Sequence, residues 1–169
     1  MDFGIAAFPQ KSVQDKINSY RKRYDAHYSL IPPHITLRDK FELKEDQLED
    51  AVLCLEKIAK ETSCFKLNFN KVSHFYPTSN TIYLAIDNPT PLIELHDRID
   101  QEFGSVQKPY EYQPHLTIGQ KMEEQELHDV YGRLRMNSFD LETEITRFHL
   151  MYQLENEAWN IYQTFLLSR

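Results

Sequence analysis

The chain has 169 residues, 41% of them hydrophobic, a size and composition that suit one folded domain over 1-169 and exclude a disordered chain. A formal charge of −7 excludes a general binder of long duplex nucleic acid, because such binding rests on Lys and Arg against phosphates. No apolar run approaches the roughly 20 residues that span a bilayer, and Met1-Asp2-Phe3 lacks a signal peptide's basic start, so a cytoplasmic protein without membrane contact is expected.

In chain order, Phe3 to Phe8 reads as a short buried strand closed by Pro9. Ser12 with Asp15 suggests a capping pair, and Val13, Ile17, Tyr20 and Tyr24 then recur at helical spacing. Pro32-Pro33 cannot continue that helix, and His34 to Asp39 reads as a strand. Leu48, Ala51, Val52, Leu55, Ile58 and Ala59 trace the apolar stripe of a second helix. Strands at about 65–75 and 81–87 flank the turn-forming Pro77-Thr78-Ser79-Asn80. Thr90 as cap and Pro91 at the first helical position open a third helix carrying Leu92, Leu95, Ile99 and Phe103. A strand from His115 to Ile118, a helix with Leu127, Val130, Tyr131 and Leu134, and a hairpin of Ile145 to Leu154 with Ala158 to Leu166 complete the chain. The order strand, helix, His-Thr strand, helix, hairpin therefore occurs twice, suggesting pseudo-repeats at roughly 1-85 and 86-169.

Cys54 falls on a helix stripe and Cys64 near a strand start, without metal-type spacing, so both are read as reduced structural thiols. The chemistry lies in Pro33-His34-Ile35-Thr36-Leu37 and Pro114-His115-Leu116-Thr117-Ile118. Alternate strand residues share a face, so His34 with Thr36, and His115 with Thr117, face one way while Ile35, Leu37, Leu116 and Ile118 anchor them from behind. Two copies of such a pattern are expected by chance on the order of 10⁻⁶ to 10⁻⁵ times, so coincidence does not explain them. His27, His74, His96, His128 and His149 lack that context and are read as structural. A zinc site is disfavoured, because neither motif supplies a third ligand or a supporting carboxylate. No metal and no cofactor is called for.

Two imidazoles and two hydroxyls on one cleft suit phosphodiester cleavage. One neutral histidine takes a proton from water, a protonated one gives a proton to the leaving oxygen, and the threonines donate to the phosphoryl oxygens. The paired motifs resemble the H-x-T-x motifs of the 2H phosphoesterase superfamily, which includes the 2′-5′ RNA ligase-like proteins. Phe3 to Pro9, Tyr20 to Tyr24 and Phe148 to Asn156 are similar to the YjcG branch of phosphoesterases. The resemblance implies an α+β, bilobal, duplicated fold, each lobe an antiparallel sheet with helices on its outer face and a pseudo-two-fold cleft between the lobes. It implies hydrolysis of 2′,3′-cyclic or related phosphodiesters of nucleotides or RNA ends. It also implies His34 as proton donor and His115 as proton acceptor, with Thr36 and Thr117 holding the phosphate.

Arg38 is read as pointing away from the His34/Thr36 face, as a surface or interlobe charge, and secondarily as a substrate contact. Tyr152, like Tyr28 and Tyr112, is a candidate to stack on a base, with core or rim packing as the alternative. Lys121 is read as a solvated helix start. The expected partner is a small nucleotide or an RNA terminus, and the chain a monomer or weak dimer. The alternative function is a non-catalytic binding module for a nucleotide or phosphometabolite, and ligation by the reverse reaction would use the same groups.

Overall fold

The computed structural model describes residues 1–105 and 110–169. Among the described residues, eight strands and four helices follow in the order β1 (Asp2–Ala7), α1 (Lys11–Tyr24), β2 (Ile35–Glu42), α2 (Glu45–Lys60), β3 (Phe65–His74), β4 (Ile82–Ile86), α3 (Thr90–Phe103), β5 (His115–Gly119), α4 (Glu124–Leu134), β6 (Leu141–Ile145), β7 (Arg147–Gln153) and β8 (Trp159–Leu166). The strands form two four-stranded sheets, in the orders β2-β1-β7-β8 and β5-β4-β3-β6. Every pairing within them is antiparallel. The fold is thus α+β and bilobal, as the sequence led us to expect.

Period-two burial builds both sheets. On β1, Phe3, Ile5 and Ala7 enter the core while Gly4 and Ala6 take the other face. Helix α3 packs against β2 and α2 against β8, so both cover the first sheet; α1 packs against β5 and β6, and α4 against β3, covering the second. Strand β1 of the first sheet therefore leads into a helix that covers the second. Likewise β4 of the second leads into α3, which covers the first. These crossings tie the lobes together, and β2 and β5, which carry the two motifs, meet between them.

Four local expectations need correction. Helix α1 begins at Lys11 without a side-chain cap. Ser12 instead accepts a hydrogen bond from Gln10 Nε2 at 3.0 Å, and Asp15 pairs with Lys11. Pro89 is the cap of α3, so Thr90 and Pro91 are already helical. The stretch from Ile145 to Leu154 is not one strand. The chain changes sheets at Thr146, with β6 pairing to β3 and β7 to β1, where the apolar parity shifts from Ile145 to Phe148 across the polar pair Thr146-Arg147. Arg38 is not a surface charge; it is 8% exposed. A bulge in β2 pairs Thr36 with Ala6 but Arg38 with core-facing Ile5, and its guanidinium reaches α3, bonding Asp100 at 2.9 Å and the carbonyls of Gly104 and Phe103.

Candidate active site

Behind each motif the anchors are complete: Ile35, Leu37, Leu116 and Ile118 are fully buried, and His34, Thr36, His115 and Thr117 are half-buried on the opposite faces. All four line one cavity of about 270 Å³. Each histidine is held in the same manner. Nδ1 of His34 lies 2.9 Å from the carbonyl of Pro32, and Nδ1 of His115 lies 2.8 Å from that of Gln113, in each case two residues upstream. A carbonyl can only accept, so both Nδ1 atoms carry hydrogen and both neutral rings leave the Nε2 lone pair for the cleft.

Burial pushes His34 down to about 4, helped by the positive charge of Arg21 and by His115, and opposed by the Pro32 bond and Asp25. Burial likewise lowers His115 against the opposing Gln113 bond. Both imidazoles are therefore neutral at pH 7, and an anion between them favours the protonated form of one. His115 also packs edge-on against Phe75 and Tyr83, at centroid separations of 4.9 and 5.2 Å.

A buried ion pair braces the two motifs against each other. Arg21 and Asp25 join at 2.8 Å with side chains 2% and 1% exposed. Arg21 also donates to the carbonyl of Ile31 at 2.7 Å, three residues before His34, while Asp25 accepts from Gln120 Nε2 at 2.9 Å, three residues after Thr117. At the end of β5, a side chain on Gly119 would place its Cβ 2.8 Å from Tyr24 Cβ and 2.9 Å from the Tyr24 carbonyl oxygen. Only glycine permits α1 and β5 to approach this closely. On the other strand, the Tyr112 hydroxyl donates to the carbonyl of Thr36 at 2.6 Å.

The remaining candidates divide. Arg38 lines the cavity, although Asp100 engages its charge. Tyr152 is not among the lining residues; it packs edge-on with Tyr162 at 6.4 Å. Tyr28 lies 5.7 Å from the Arg21 guanidinium, and Lys121 is outside the cavity at a φ of 60°. His149 is buried against Phe8 and hydrogen-bonded with Thr164, and His74 packs on Tyr131. The lining also includes His27, which the sequence pattern left as structural, and Gln120 and Trp159, which it did not single out. Trp159 reaches across β7 so that a Cβ on Gly4 would lie 3.3 Å from its indole. A glycine and an alanine on the cleft face of β1 were the available signal, since small residues there leave room for something flat.

The sequence pattern of the 2′-5′ RNA ligase superfamily matches residues 9–157, and the chain belongs to that family, the 2H phosphoesterases. It is 48% identical over 168 residues to a protein of Geobacillus sp. strain WCH70 named "putative phosphoesterase", covering 99% of this chain and 97% of the relative. A protein of Oceanobacillus iheyensis with the same name is 47% identical over 169 residues, covering 100% and 99%. Among solved structures, Escherichia coli LigT complexed with 3′-AMP superposes with a TM-score of 0.75 at 16% identity, covering 99% of this chain and 98% of LigT, a likeness of fold.

Proposed function

We propose that this chain is a metal-independent cyclic phosphodiesterase acting on 2′,3′-cyclic or related phosphodiesters of nucleotides or RNA ends. The observation that carries the reading is the matched pair of imidazoles, each fixed through Nδ1 and each turning Nε2 into one cavity beside a threonine hydroxyl. Water attacks phosphorus while His115 Nε2 takes its proton; the bond from phosphorus to the leaving oxygen breaks, and His34 Nε2–H protonates that oxygen. Thr36 and Thr117 donate to the non-bridging oxygens, where charge accumulates. The depressed pKa of His34 makes the proton arrive with the substrate, because a bound phosphate anion favours imidazolium. Trp159 forms a flat wall for the base. That E. coli LigT has been solved with 3′-AMP, ATP and NADP⁺ supports a nucleotide in this cleft.

The test is hydrolysis of a panel of 2′,3′-cyclic nucleotides in excess EDTA by wild type, His34→Ala and His115→Ala. Each substitution is expected to lower turnover by about 10²- to 10⁴-fold, the usual contribution of a positioned proton donor or acceptor. Absence of turnover for every substrate, with nucleotide binding retained, would instead make the cleft a binding module.

A further inference from the structure

Both motif strands are sheet edges, β2 closing one sheet and β5 the other, so the cleft side of each lacks a strand partner. On β2 the ladder is also broken beside the motif. Thr36 pairs with Ala6 and Arg38 with Ile5, which are neighbours on β1, so Leu37 is an extra residue and Thr36 stands at the rim of a bulge. An edge strand loosened at that point does not by itself fix where the Thr36 hydroxyl points.

The missing restraint comes from the segment leading into β5. The Tyr112 hydroxyl donates to the Thr36 carbonyl at 2.6 Å, across 76 positions of chain. Its ring lies face to face on His96 of α3, with centroids 3.7 Å apart and planes 1° from parallel. His96 is itself flanked, Nδ1 lying 3.1 Å from Asp97 and Nε2 3.4 Å from Asp100. Burial, together with the charges of Asp100 and Asp97, raises Tyr112 above an ordinary phenol, so the hydroxyl keeps the proton it donates. The next residue, Gln113, accepts from His115 Nδ1 through its carbonyl at 2.8 Å, and its side-chain amide donates to the Tyr83 hydroxyl at 3.0 Å. Consecutive residues thus hold the imidazole of one motif and the backbone of the other.

We infer that Tyr112 is a positioning residue of the reaction: by fixing the Thr36 carbonyl it aims the Thr36 hydroxyl at the phosphoryl oxygen, in register with His115. This rests on the phosphodiesterase reading above. One face of the Tyr112 ring is taken by His96 and its hydroxyl by the Thr36 backbone, so it acts through Thr36. Because Thr36 serves oxygens on which charge accumulates during the reaction, a misaimed hydroxyl costs turnover more than substrate binding.

The experiment is a double-mutant cycle on hydrolysis of one 2′,3′-cyclic nucleotide in EDTA, by wild type, Tyr112→Phe, Thr36→Val and the double variant. Enzyme is kept in excess, so that slow variants are still read. Phenylalanine keeps the ring on His96 and valine keeps the β-branched shape on β2, so each change removes one hydroxyl. Tyr112→Phe is expected to lower the single-turnover rate about tenfold or more while the half-saturating concentration changes by less than about threefold. With Thr36→Val already in place, the same change is expected to cost less than about twofold, since no hydroxyl is left to aim. A loss caused by weaker folding would recur at full size in both backgrounds. Equal losses in the two backgrounds, or a Tyr112→Phe rate within about twofold of wild type, would overturn the positioning role while leaving hydrolysis standing. No turnover by wild type would overturn the hydrolytic reading, and this role with it.

Discussion

Replacing Arg21 by alanine should damage stability more than any single change to the cleft's own side chains. Its guanidinium is 2% exposed and holds Asp25 at 2.8 Å, Asn18 at 2.9 Å and the Ile31 carbonyl at 2.7 Å. Truncation leaves the Asp25 carboxylate buried without its counter-charge, retaining only the donors from His27 and Gln120. Removing one partner of a buried pair costs roughly 3–5 kcal/mol, a large share of a domain's usual 5–15 kcal/mol. For a chain of this length that corresponds to a drop in Tm of roughly 6–20 °C. Urea unfolding at pH 7 gives the value directly, and Arg21→Lys should fall between wild type and alanine, since an ammonium keeps the charge but not the planar fork. A loss below about 1 kcal/mol for Arg21→Ala would refute the view that this pair braces the two motifs.

Three further outcomes follow from the same geometry. The pKa values of His34 and His149, both near 4, lie below the 6.5 of an unfolded histidine, so the unfolded chain binds more protons between those values. Stability should therefore be complete above pH 6.5 and fall as pH drops toward 4; urea midpoints that rise on acidification would contradict this. Since both cleft histidines are lowered in the free protein, kcat/KM should be bell-shaped with its maximum below pH 6.5, and a maximum above pH 7 or a flat profile would contradict the acid–base pair. Gly119→Ala places a Cβ 2.5 Å from Met122 Cε and 2.9 Å from the Tyr24 carbonyl oxygen, so thermal melting should show overpacking of about 1–3 kcal/mol; an unchanged Tm would mean α1 and β5 separate freely.

What the sequence revealed and what it hid have physical causes. The motif residues were legible because a strand alternates strictly: a buried Ile35-x-Leu37 pair commits His34 and Thr36 to the other side. The bulge after Thr36 that turns Arg38 onto α3 carries no such signal. His27, Gln120 and Trp159 reach the cavity from a loop, a strand terminus and a strand of distant sequence, where no local period operates and only tertiary packing brings them in. The change of sheet at Thr146 left one trace, the shift of apolar parity between Ile145 and Phe148, but nothing local says which partner each strand finds.

The claim at the centre of this account is that His34 and His115 act as one unit. The measurement that tests it is single-turnover hydrolysis of one 2′,3′-cyclic nucleotide, in EDTA, by wild type, each histidine-to-alanine variant and the double variant. Groups that transfer protons in one concerted event lose their effect together, so the double variant should be about as slow as either single one. Losses that multiply across the two sites, or a single variant that retains the wild-type rate, would contradict it.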